Sequence, residues 1–181
     1  MYQFDTRLPV DAPDALWALQ NFLLEQVEAR LGERDKLKTI CQPTFHNEPP
    51  QLFHTGAYDG VFAKLSCNAK SYWPTAMYEL AHETVHFLNP VIGGANYLEE
   101  GLAVQFSVEM SSTFTVHPLR PDDGLYRKAV DMVGELPGNR YEVGKLCRST
   151  FGSLDSVSEL GLQQIMTGIS ANLAQRLCVR L

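Results

Sequence analysis

His82-Glu83-Thr84-Val85-His86, followed a short way on by Tyr97-Leu98-Glu99-Glu100-Gly101-Leu102-Ala103, is the stretch on which the reading of this chain turns. The first segment matches H-E-x-x-H. The spacing predicts a helix from Pro74 to about Leu88, because Pro suits a first helical turn and Asn89-Pro90 cannot extend the last one. At about 100° per residue, positions i and i+4 differ by about 40° around the axis. His82 and His86 therefore reach one metal ion. Glu83 lies about 60° from His86, beside the ion and not on it. Met77, Leu80, Ala81 and Leu88 supply a buried face for the same helix. An amphipathic helix also tolerates His and Glu on its surface, so the pentapeptide alone does not make a site.

A catalytic zinc keeps three protein ligands and one open position. The second segment supplies the third candidate. An HExxH helix followed by a helix reading Leu-x-Glu-Gly-Leu-Ala resembles the gluzincins, zinc metallopeptidases whose third ligand is a Glu directly before Gly. The resemblance covers about residues 60–108. Carried over by position it implies zinc bound by His82, His86 and Glu100, with Glu83 as the general base. Glu99 reads more plainly as a solvent-facing charge at a helix N-terminus, favoured there by the helix dipole. The short approach between helices suits Gly101. The metzincin extension is absent, since it requires Gly at 89 and His at 92, where Asn89 and Ile92 stand. Some gluzincins carry an Asp one turn beyond the ligand Glu to orient a zinc histidine. Val104 occupies that position here, so orientation falls to a backbone carbonyl or Gln105. The resemblance also implies that the strand before the zinc helix, Val61 to Ser66, pairs with an extended substrate, although an ordinary sheet strand reads the same way. His117, Tyr126 and Tyr141 are available as oxyanion donors. His46 and His54 fall in or near a Pro-rich segment and read as loop or surface.

The rest of the chain frames this site. Asp11 and Pro13 open a helix that Gly32 closes, with Leu16, Leu19, Leu23, Val27 and Leu31 along one stripe. Residues 37–46 read as a strand disturbed by Pro43, residues 47–60 as loop, and Val61 to Cys67 as a second strand. A helix runs from near Asn96 to about Met110. Beyond Pro121 helices are predicted over about 123–135, 140–149, 156–167 and 169–179. The expected fold class is α+β: one minimal zincin-like domain over 1–181. A small mixed sheet packs on the N-terminal helix and the HExxH helix within 1–120. A helical subregion over 121–181 forms the other cleft wall.

Composition narrows the function classes. A net charge of −6 argues against a nucleic-acid partner. Eight basic against sixteen acidic residues precede residue 126, and such a skew is usually a solvated face. No apolar run spans a bilayer and no signal peptide is visible, so a cytoplasmic protein without membrane attachment is expected. Cys41, Cys67, Cys147 and Cys178 form no Cys-x-x-Cys pair and read as scattered thiols. The sequence thus predicts a zinc metallopeptidase acting on a peptide or protein substrate. The alternative is a zinc-binding module that regulates or binds through an occluded, inactive site.

Overall fold

The computed structural model of the protein describes residues 2–121 and 124–181. The N-terminal helix α1 spans Pro13–Leu31, and its five expected apolar residues are all buried. Gly32 ends it at φ +86°, a left-handed turn that suits glycine, and its N–H bonds to the Glu28 carbonyl. The start differs from expectation. Ala12 is the cap residue and no side chain caps it, while Asp11 belongs to a short 3-10 turn at Pro9–Asp11.

The sheet has four short strands, β1 Thr39–Ile40, β2 Thr44–Phe45, β3 Gln51–His54 and β4 Gly60–Leu65. The strand expected over 37–46 is thus two strands. Pro43 breaks the ladder between them, and both pair in parallel with β4. The segment expected as loop over 47–60 contains β3, which pairs antiparallel with β4 through Leu52–Ala63 and Phe53–Phe62. A turn closes this hairpin: Thr55 N–H donates to the Gly60 carbonyl at 2.9 Å, and Thr55 Oγ1 to Asp59 Oδ1 at 2.7 Å. The sheet is mixed, and β4 is its central strand. The substrate-pairing role expected of Val61 to Ser66 is therefore ruled out by geometry, because β4 is flanked on both sides. β3 pairs only with β4 among the described residues.

Helix α2, Trp73–His86, packs against α1, the sheet and α3, Tyr97–Phe114, which also touches α1 through Arg30–Glu109 and Phe22–Phe114. Trp73 Nε1 donates to the Arg7 carbonyl at 2.9 Å and fixes the start of α2. Helices α4 Gly124–Gly134, α5 Arg140–Phe151, α6 Glu159–Ile165 and α7 Ala171–Leu177 form the helical remainder. Residue 123, the first of the expected 123–135 helix, lies outside the described residues. Arg148 of α5 is buried and joins three elements. Its guanidinium donates to the carbonyls of Leu31, Gly32 and Glu33 at the end of α1, and to Asn89 Oδ1 beyond α2. The Leu31 bond uses one of the orphan carbonyls that a helix C-terminus leaves, and the other two hold the chain that follows it. The four cysteines are free thiols. No helix among the described residues is long and apolar enough to cross a membrane.

Candidate metal centre

The final turns of α2 and the first turn of α3 meet at one point. Pro74 starts α2, and the 3.6-residue period carries His82 and His86 to one side of it. Asn96 caps α3: its Oδ1 accepts from Glu99 N–H at 2.9 Å, while its Nδ2 donates to the Leu154 carbonyl at 3.0 Å. The cap sets the direction of the first turn, so Glu99 and Glu100 face α2. The helix N-terminus favours both carboxylates.

Donor atoms of His82, His86 and Glu100 lie within 4.8 Å of one another. His82 Nε2 stands 3.3 Å from His86 Nε2 and 3.2 Å from Glu100 Oε2, and His86 Nε2 stands 3.6 Å from Glu100 Oε1. An ion with tetrahedral bonds of about 2.0–2.1 Å holds its donors about 3.3–3.4 Å apart. Glu100 Oε2 is also buried, and its 3.2 Å contact with His82 Nε2 is not a well-directed hydrogen bond. A buried carboxylate oxygen served so poorly is stabilised by a cation. The donor set and its spacing fit a metal.

Glu99 is not the solvent-facing charge expected from its position. It is 6% exposed, and its Oε1 accepts from His86 Nδ1 at 2.8 Å. Gln105, the side chain expected to orient a histidine, hydrogen-bonds Tyr141 instead, and Glu99 makes the contact to His86. Burial pulls the His86 pKa down, but the Glu99 bond and the charges of Glu99, Glu100 and Glu83 outweigh it and lift it to about 10. Burial pushes Glu100 up, and the His82 contact with the charges of His86 and His82 overcomes this, to about 2. The cluster thus draws positive charge strongly, whether carried by a proton or a metal. Glu83 is buried, and burial raises its pKa above the usual carboxylate range.

His82, Glu83, His86, Glu99 and Glu100 open into a cleft of about 690 Å³. One wall is β3, through Leu52 and His54. A second is the loop 91–95. His54 was read as surface, yet its Nε2 lies 3.2 Å from the Val91 carbonyl and ties the walls together. Recognising β3 as a strand is the signal that finds it. Residues 179–181 brace the loop from behind: Leu181 N–H donates to the Ala95 carbonyl, and Arg180 bonds Asp155 and the Gly94 carbonyl. From the 121–181 subregion only Tyr126 reaches the cleft among the described residues. Its ring lies edge-on to His82, with centroids 5.3 Å apart. Burial raises its pKa, as do the charges of Glu100 and Glu83, so the hydroxyl stays a donor. The other two oxyanion candidates are elsewhere. Tyr141 donates to Glu109 at 2.6 Å, and His117 bonds the Tyr72 hydroxyl at the far end of α2.

Gly101 also has a different partner from the one expected. A Cβ there would stand 2.5 Å from the Ala129 carbonyl oxygen and closer still to Val133 Cγ2. The close approach is between α3 and α4, and it is what seats α4, and with it Tyr126, beside the site.

No family model, curated protein or solved structure matches this chain. The functional reading accordingly rests on the geometry just described.

Proposed function

We propose that the protein is a zinc-dependent metallopeptidase of minimal zincin type, with His82, His86 and Glu100 as ligands. The observation that carries the proposal is the three-donor cluster opening into the cleft beside Glu83. Two imidazoles, which would give up any extra proton to the ion, and one carboxylate form a three-donor set that suits zinc and would leave room for water or substrate. Bound there, zinc supplies Lewis acidity: it lowers the pKa of a water molecule and polarises a substrate carbonyl. Glu83 takes the proton of the attacking water and passes it to the leaving amine. Tyr126, whose ring lies edge-on to His82 in the cleft, offers its hydroxyl as a donor to the developing oxyanion. The free edge of β3 accepts an extended substrate backbone as an added strand.

The cleft favours this enzyme over an occluded binding module, because the cluster is reached from solvent. The lining also bears on the substrate. It carries Glu48, Glu83, Glu99 and Glu100 and includes no Lys or Arg among the described residues. No cation in that lining pairs with a terminal carboxylate, which disfavours removal of C-terminal residues, while the four glutamates suit a basic or N-terminal ammonium group.

The test is Glu83→Gln assayed against internally quenched peptide libraries. The variant is expected to hold metal as the wild type does and to lose turnover by at least about 100-fold, the usual weight of a general base. Turnover that survives the change would overturn the mechanism.

A further inference from the structure

The His86 ring uses its two nitrogens differently. Nε2 faces the donor cluster, 3.3 Å from His82 Nε2, while Nδ1 points away from it to Glu99 Oε1 at 2.8 Å. Both partners are largely enclosed, with side-chain exposures of 13% and 8%. At that distance, and with little water to compete, the contact is a strong charge-assisted hydrogen bond. It places a proton on Nδ1, so that once the ring is neutral, as a metal-bound ring must be, the lone pair is on Nε2, toward the cluster. The Glu99 carboxylate is itself held in register. Its backbone N–H is bound by Asn96 Oδ1, and Asn96 is buried and tied to Leu154. The chain of positioning runs from α6's approach segment through the α3 cap to the histidine of α2. His82 has no carboxylate of this kind among the described residues.

Resting on the metal reading above, we infer that Glu99 is the positioning residue of His86. It fixes the ring's tautomer and rotation and, as an anion, makes Nε2 a stronger donor. Adjacent glutamates on one helix turn thus divide the work: Glu100 offers an oxygen to the cluster and Glu99 offers one to the back of the ligand histidine. The role that an Asp one turn further along would play in the resembled family, where Val104 stands, is met from the residue before the ligand.

The test compares wild type, Glu99→Gln and Glu99→Ala by zinc titration against a chelator of known affinity. Proton NMR of the zinc-loaded proteins follows the His86 imidazole N–H. Glu99→Ala removes the acceptor and is expected to weaken zinc binding by about 10–100-fold, the usual effect of losing such a partner. The slowly exchanging Nδ1 proton disappears with it. Glu99→Gln keeps an acceptor oxygen and loses the charge, so it retains the proton signal and weakens binding by less. The backbone N–H that Asn96 caps is unchanged in both, and thermal melts check that the fold persists. If Glu99→Ala fails to fold, the isosteric Glu99→Gln still decides through its affinity. Zinc affinity within twofold of wild type in folded Glu99→Ala, or in Glu99→Gln where that variant alone folds, would overturn the inference. A wild type that takes up no zinc would instead bring down the metal reading, and the inference with it.

Discussion

Substituting Gly101 by Ala isolates the packing that seats the site. A glycine inside a helix normally costs roughly 0.5–1 kcal/mol relative to alanine, so propensity alone predicts a more stable protein. The structure predicts the opposite sign. The new Cβ meets the Ala129 carbonyl oxygen at 2.5 Å, against the 3.4 Å of ordinary contact, so α4 must retreat by about 0.9 Å. The obstacle is backbone, which cannot rotate aside as a side chain would. Overpacking costs about 1–3 kcal/mol, and against immovable backbone the upper half of that range applies, so about 1–2.5 kcal/mol remains after the propensity gain. At about 2–4 °C per kcal/mol for a chain of this size, Tm falls by roughly 2–10 °C. Gly134→Ala is the control on the partner helix: only the far end of Arg140, at 3.8 Å, stands near its new Cβ. That variant is expected to melt at or slightly above the wild-type temperature. Because Tyr126 precedes Ala129 by one turn, the retreat of α4 also carries its ring from His82. Displacements near 1 Å cost up to about 100-fold in turnover. Calorimetry, zinc analysis and peptide turnover on both variants make the assay. Gly101→Ala melting within 1 °C of wild type, a margin set by the propensity argument at about zero net change, would refute the packing account.

Two further outcomes follow from the same structure. Arg148→Met strips the carbonyls of Leu31, Gly32 and Glu33 of a buried charged donor, and is expected to cost roughly 3–5 kcal/mol in chemical denaturation; a loss under about 1 kcal/mol, the worth of a surface contact, would contradict the role given to it. The thiols should separate by reactivity. Burial pushes Cys147 up to about 12 and Cys178 up to about 11, whereas Cys67 is exposed, so at neutral pH alkylation labels Cys67 first and reaches Cys147 and Cys178 only in denaturant or at strongly alkaline pH. Mass spectrometry of the labelled peptides reads the order.

Local signals carried much of the architecture. The Leu16–Leu31 stripe, Pro74 and Asn89-Pro90 each act within a few residues, and α1 and α2 fall close to where they predict; α3 starts where expected, near Asn96, and runs one turn past Met110, to Phe114. The proximity of His82, His86 and Glu100 was legible for the same reason, since one helical period places the two histidines together and a family-like pattern names the glutamate. What failed is non-local. β3 hides between Pro49-Pro50 and a polar turn, and only its pairing with β4 makes Gln51–His54 a strand. That pairing also moves the exposed edge from Val61–Ser66 to β3 and turns His54 from a surface residue into a cleft residue. Glu99 looks like an ordinary helix-start charge until α2 is set opposite it. Gly101 showed that something approaches closely, but not that the neighbour is α4.

The account stands or falls on metal binding at the end of α2. Elemental analysis of chelator-stripped protein after exposure to equimolar zinc and desalting tests it most directly. The account predicts about one zinc per chain for the wild type, as a three-ligand centre requires, and little for a His82→Ala, His86→Ala double variant that still folds. A folded wild type that retains no zinc would contradict it.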